Sequence, residues 1–450
     1  MSAAEALARH SILYVVHAMP PEEETGVPLV ALGYVQEFAR RGWDVSVIYG
    51  SNEVRDWESV RPQRWKDEGF VRIAVPTGPI VGSLWALSAP SVPIVANAQP
   101  NVTFERILKE LRPDVLHVVD NVNLPLDWPE RAKARHVPVI RTVYCAEDLC
   151  AFIAPVSPIS DAVGYCLPPL TPQRCAGCVA NSAESSHVSS ALSSPTSDGS
   201  SQAQHTMLTD FLNRKRARST DQFDSVFDRI VFPSSGFRSY FERTLPLNPA
   251  RVRVISLGMD APKIHGPRRE ERDPQRRVVF GFAGTLYEAK GIDTLVATFL
   301  HPALRERDDF GLEFFGGGNE ELIEELLAIN PNAHWHGSYR LHELPSLLEK
   351  IDVGLSTSRF ETFHRVTREY LLAGAPVIGS RAFGIPEVIE DGVNGLLFDH
   401  TEPESMLRAV LSCLDDRDLL TRITQGAQNT AIKSVQEEAD QLEALYRECL

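Results

Sequence analysis

No stretch of this 450-residue chain is apolar for long enough to cross a bilayer as a helix, and residues 1–10 lack the charged-then-apolar layout of a secretory leader. Both absences point to a cytosolic protein, with a peripheral contact to a membrane left open. A basic excess is missing too: 45 Lys and Arg stand against 60 Asp and Glu, a formal net charge of −15. Such a chain is a poor non-specific ligand for nucleic acid or anionic lipid. The deficit is lopsided, because residues 1–258 hold 25 basic against 27 acidic side chains and residues 259–450 hold 20 against 33, that is −2 and −13. Cysteine is scarce and odd in number, seven in all, which does not suit a disulfide framework in a long cytosolic chain.

What is present reads as a soluble α/β protein. Hydrophobic residues make up 43% and charged residues 23%, and the length exceeds one ordinary core, so two domains of about 200 residues each are expected. The order at the start is an apolar strand from Ser11, a loop through His17 and Gly26, an amphipathic segment Leu29 to Arg41, and a strand from Val45 to Tyr49. That opens a doubly wound domain, whose ligands sit at the carboxyl ends of the strands. A second series of strand, loop and helix begins at Val278, where the glycine-bearing loop Gly284–Gly291 contains Thr285 and Lys290.

Residues 356–399 carry the densest pattern. Glu361 and Glu369 are separated by seven residues and followed by Gly374 and Pro376, then Gly384, Glu387 and Gly395. Gly374 is a helix stop and Val377-Ile378 an apolar strand, so Glu361 falls in the loop or at the entrance of a short helix and Glu369 about two turns inside it. Two such acids suit vicinal hydroxyls, and the amides of the first turn suit an anion; sugar plus phosphate is the ligand this suggests. On spacing alone, an acidic pair on a helix is more often a solvated face.

The composite of Glu361, Glu369, Ala373, Gly374, Pro376, Glu387, Ile389, Gly392 and Gly395 resembles, residue for residue, the carboxyl-terminal signature of retaining glycosyltransferases of the GT-B fold, family 4 type. The resemblance implies two facing Rossmann-like domains with the active site in the cleft between them. It implies a nucleotide-diphosphate sugar donor, an acceptor that is a glycan, a lipid-linked or a small molecule, and no cofactor for catalysis. Lys290 would neutralise the leaving diphosphate, Glu369 would accept the ribose hydroxyls, and Glu361 would bind a hydroxyl of the donor sugar. Gly26, Gly284 and Thr285, with the amides of Thr362, Phe363, His364 and Arg365, would line the donor. Four positions depart from the pattern: Thr285 replaces an arginine, His364 a glycine, and Tyr144 and Cys145 a histidine and an aspartate. His364, Arg365 and Arg359 are the candidate basic groups to take the place of the missing arginine.

The expected division is 1–260 for the acceptor-side domain, 261–276 for a linker, 277–425 for the nucleotide-sugar domain, and 426–450 for a helix returning to the first domain. Residues 145–178 form a cysteine-rich insertion. Within it Cys150, Cys166, Cys175 and Cys178 have the spacing of a structural zinc or iron–sulfur site, with unligated thiols as the other reading. Residues 180–206, rich in Ser and Ala, are expected to be a disordered loop. The cluster Arg214-Lys215-Arg216 and Arg218 reads as a solvated helix face or as a contact for a phosphate-bearing acceptor. Two further readings of the whole chain stay open: a degenerate relative that binds nucleotide-sugar or a partner without turnover, and a nucleotide-sugar 2-epimerase.

Overall fold

The computed structural model describes residues 10–23, 26–64, 69–77, 99–120, 124–150, 165–180, 201–260, 277–402 and 404–450. The proposed linker 261–276 and most of the proposed disordered loop, residues 181–200, lie outside these.

Two sheets organise the chain. The first has the order β3-β4-β2-β1-β5-β6-β7-β8. Its strands are β1 (Ser11–Val16), β2 (Asp44–Ser51), β3 (Gln63–Arg64), β4 (Val71–Pro76), β5 (Val115–Val118), β6 (Val139–Thr142), β7 (Arg229–Phe232) and β8 (Val252–Val254). All pair in parallel except β3 with β4. The second is wholly parallel, in the order β11-β10-β9-β12-β13-β14. It comprises β9 (Val278–Ala283), β10 (Phe310–Phe315), β11 (Ala333–Trp335), β12 (Val353–Ser356), β13 (Val377–Ser380) and β14 (Gly395–Phe398). In each sheet the strand order reverses beside its first strand, β1 or β9, and there the loops leaving neighbouring strands diverge and open a crevice.

Four helices position the features that follow: α1 (Gly26–Arg40), α2 (Ser235–Glu242), α3 (Arg365–Leu372) and α4 (Val435–Arg447). α4 begins with a capping box between Ser434 and Glu437 and lays its apolar face on the first sheet. There Ala439, Leu442, Leu445 and Tyr446 join Tyr14, Phe38 and Trp43 in one buried cluster. Polar groups inside it are paired: the Tyr446 hydroxyl lies 2.7 Å from His117 Nδ1, whose Nε2 lies 2.8 Å from Thr142 Oγ1.

Two expectations are corrected. The Ser-rich segment is not structureless to residue 206, because a helix starts at Ser201 and runs to Asp221. Its basic cluster is not simply a solvated face either: Lys215 Nζ donates to Cys150 O at 3.0 Å, and Arg216 donates to the carbonyls of Leu170 and Leu149. Sequence periodicity could not show this, since the partners lie 46 to 67 residues away. The two cations use their charge to satisfy backbone carbonyls of the cysteine-rich segment. Among the described residues no helix is long and apolar enough to cross a membrane.

Candidate active site

The second domain gathers its site at the carboxyl ends of β9 and β12. The loop after β9 makes one 3₁₀ turn, Glu288–Lys290, and the loop after β12 carries Ser358 to His364. These loops bring the Lys290 ammonium 2.5 Å from Glu361 Oε2, with Ser358 Oγ 3.4 Å from the same oxygen. Burial alone would pull the lysine pKa down and push the carboxyl up. Their mutual attraction reverses both, leaving Lys290 raised and Glu361 lowered, so the pair is charged.

Helix α3 starts at His364, which adopts φ +62°, the left-handed conformation that a glycine takes most easily. The histidine is held there by its own ring: Nδ1 accepts from the Thr367 amide at 3.2 Å and lies 2.5 Å from Thr367 Oγ1. Burial pushes its pKa down to about 4, against the pull of Glu361, so the imidazole is neutral. His364 therefore does not replace the missing arginine as a cation. Arg359 is taken up by Asp293 and Thr294 on the helix after Lys290. Arg365 is the remaining one of the three; its guanidinium is 3.7 Å from Glu369. Glu369 sits one turn into α3, and burial raises its pKa while Arg365 opposes the rise. Gly374, at φ +72°, ends the helix.

The first domain supplies the facing wall, and much of it was missed from the sequence. His17 follows β1 and Asp120 follows β5, the neighbouring strand. The His17 amide and Nδ1 meet the two oxygens of Asp120 at 3.0 and 2.7 Å, and Glu23 lies 3.3 Å from Nε2. Burial opposes charge on this ring, but the two carboxylates outweigh it and raise its pKa to about 10. Tyr144, where the resembled family has a histidine, places its hydroxyl 2.5 Å from that of Tyr34 on α1, which donates to Glu438 Oε1 on α4 at 2.7 Å. Glu438 Oε2 also accepts from the Gly258 amide at 2.7 Å. Arg365, from the other domain, acts electrostatically on both Tyr144 and Glu438. The position of His17 and Asp120 after adjacent strands was a readable signal; the reach of Glu438 across 404 residues to Tyr34 was not.

Gly284 and Thr285 lie at the end of β9, Thr362 and Phe363 lie between Glu361 and His364, and Gly26 opens α1 on the other side. The cysteine set belongs elsewhere. Cys150, Cys166, Cys175 and Cys178 are buried in a hydrophobic cluster of the first domain with Leu170, Leu208 and Phe211. Lys215 stands beside Cys150, and Arg216 beside Cys150 and Cys175. Among the described residues no group of three or more His, Cys, Asp or Glu could hold a metal ion.

Comparison with known proteins places this geometry in context. Residues 25–258 match the model of the glycosyl transferase 4-like domain, and residues 277–416 match that of the glycosyl transferases group 1. A GDP-mannose-dependent alpha-mannosyltransferase of Corynebacterium glutamicum is 32% identical over 167 residues, covering 35% of this chain and 38% of that protein. A D-inositol 3-phosphate glycosyltransferase of Corynebacterium jeikeium is 30% identical over 220 residues, covering 44% and 52%. The chain thus spans about half or less of the length of the curated relatives it matches. Among solved structures, sucrose-phosphate synthase from Thermosynechococcus elongatus superimposes with a TM-score of 0.65 at 16% identity, covering 98% of this chain and 99% of that one. HepE from Anabaena, in complex with UDP and glucose, gives 0.59 at 16% identity, covering 97% and 99%. These two share the GT-B architecture.

Proposed function

Since the chain belongs to the group 1 glycosyltransferases, we propose that it moves a sugar from a nucleotide-diphosphate donor to a glycan, lipid-linked or small-molecule acceptor, with retention of anomeric configuration. The observation that carries this reading is the charged Lys290–Glu361 pair beside the start of α3. It presents a cation for phosphate oxygens and a carboxylate for a sugar hydroxyl at the same point. The neutral His364 adds no charge there, and Glu369, further along the helix, accepts the ribose hydroxyls. HepE, which has this architecture, has been solved with UDP and with UDP-glucose, which supports a donor of that chemical class.

In the proposed reaction the acceptor oxygen bonds to the anomeric carbon as the bond from that carbon to the β-phosphate oxygen breaks. The acceptor proton passes to the departing phosphate oxygen. Negative charge grows on the diphosphate, and Lys290 offsets it, an interaction stronger at the transition state than before it. Closure of the two domains excludes water and protects the donor from hydrolysis. The chemistry proposed uses no metal.

A second reading, binding of nucleotide-sugar without turnover, has one observation in its favour: the Tyr144 hydroxyl is engaged by the Tyr34 hydroxyl inside the first domain. Incubation with UDP-, GDP- and ADP-sugars, with and without simple acceptors, separates the two. Release of nucleotide with formation of a retained glycoside supports transfer. Binding of a nucleotide-sugar with no release from any donor supports the second reading.

A further inference from the structure

The loop that carries Glu361 to His364 does not rest on its own domain alone. Ser234, which caps α2 of the first domain by accepting from the Phe237 amide at 3.2 Å, donates its hydroxyl to Thr362 O at 2.6 Å. Two residues on, the Gly236 amide in the first turn of the same helix donates to Glu387 Oε1 at 2.8 Å. Thus α2 is capped twice, by its own serine and by a carboxylate from the other domain, where negative charge is favoured.

Two glycines make room for this contact. A Cβ on Gly236 would lie 2.9 Å from Phe383 Cα, and one on Gly384 would lie 2.8 Å from Phe363 Cα. Backbone is therefore stacked on backbone in three layers: the α2 terminus, the 383–387 loop, and the loop around Phe363. Arg368 ties the last two together. It is buried, donates to the carbonyls of Phe363 and Gly384, and lies 3.7 Å from the centre of the Phe363 ring. An aromatic seam flanks the contact, with Phe360 and Phe383 of the second domain against Tyr165, Phe237 and Tyr240 of the first.

We propose that Glu387 is a positioning residue: by capping α2 across the domain boundary it holds the closed arrangement, and through Arg368 it sets the loop that receives the donor. Glu387 touches neither reacting atom. This rests on the transferase reading for the identity of that loop, but the clamp itself does not need turnover to be seen.

The test uses the full chain with Glu387→Ala and Glu387→Gln, read by small-angle scattering and by titration with UDP and GDP, with melting curves as a check on folding. The alanine variant is expected to melt like the wild type, to show a larger radius of gyration, and to bind the preferred nucleotide about tenfold more weakly. Glutamine keeps a carbonyl oxygen for the Gly236 amide and should recover most of both properties. A folded alanine variant with unchanged scattering and unchanged affinity overturns the proposal. Should that variant fail to fold, Gly236→Ala approaches the same contact from the first domain, and unchanged scattering and affinity there overturn it equally. If neither nucleotide binds the wild type, the donor reading of the loop fails, while the scattering comparison still decides the clamp.

Discussion

Lys290 and Glu361, 71 residues apart in the chain, lie 2.5 Å apart in the cleft wall, each holding the other in its charged form. A half-buried pair of this kind is costly to halve, because the remaining charge loses its partner. In the proposed reaction Lys290 supplies charge and Glu361 supplies a sugar contact. Glu361→Gln should lower kcat by about 10²–10³-fold with nucleotide affinity little changed, as for other losses of a transition-state contact. Nucleotide-release kinetics beside calorimetric titration check this; wild-type kcat in a folded variant sinks the assignment.

Thr285 stands where the resembled family has an arginine, and His364, Arg359 and Arg365 divide as described: one neutral, one bound to Asp293, one over Glu369. Restoring the charge with Thr285→Arg should raise kcat/KM by about tenfold or more, the value of one charge-assisted contact. A fall in kcat/KM, measured with the best donor, would mean that the loop after β9 has been rebuilt around threonine.

His364 pits backbone strain against capping. A side chain at φ +62° costs roughly 1 kcal/mol, and the ring recovers it through Thr367. His364→Gly, which removes both terms, should lie near wild-type stability, whereas His364→Ala keeps the strain and loses the cap, costing about 1–2 kcal/mol. Denaturant unfolding of the two variants settles the order, and an alanine variant as stable as the glycine one contradicts it.

Glu438 makes stability depend on pH. Burial raises its pKa from 4.5 to about 7, so the folded state holds this proton more tightly than the unfolded chain does. Its favourable effect is complete below 4.5 and is lost as pH rises towards 7. His117 and His364, pushed down to about 3 and about 4, act in the opposite sense and cost stability as pH falls below 6.5. Glu438→Gln should therefore gain on the wild type by about 3 kcal/mol between pH 5 and pH 8, the equivalent of the shift. Unfolding free energies at both pH values test this; parallel curves contradict it.

The architecture was legible because parallel strands buried on both faces are short continuous apolar runs, and β1, β2, β9 and β13 all read that way. The grouping proposed as the donor side was legible because Glu361 and Glu369 are close in sequence and flank one helix start. The facing wall was not. Tyr34, Tyr144 and Glu438 meet through a helix that arrives from far along the chain, and no local pattern encodes that. Lys215 and Arg216 misled for a related reason: a basic run looks solvated until the carbonyls that it satisfies, from Cys150 and Leu170, are in place.

The crossing of α4 onto the first sheet has a consequence for how the molecule is made. Tyr446 reaches Tyr14 from 432 residues downstream, so a ribosome releases the whole second domain before it can deliver the helix that covers the first. Until then Tyr14, Phe38 and Trp43 lack the partners that Ala439, Leu442, Leu445 and Tyr446 bring to their cluster. The core of the first domain is therefore completed only after the second has been synthesised, and a chain truncated before Val435 is expected to lack one wall of that cluster.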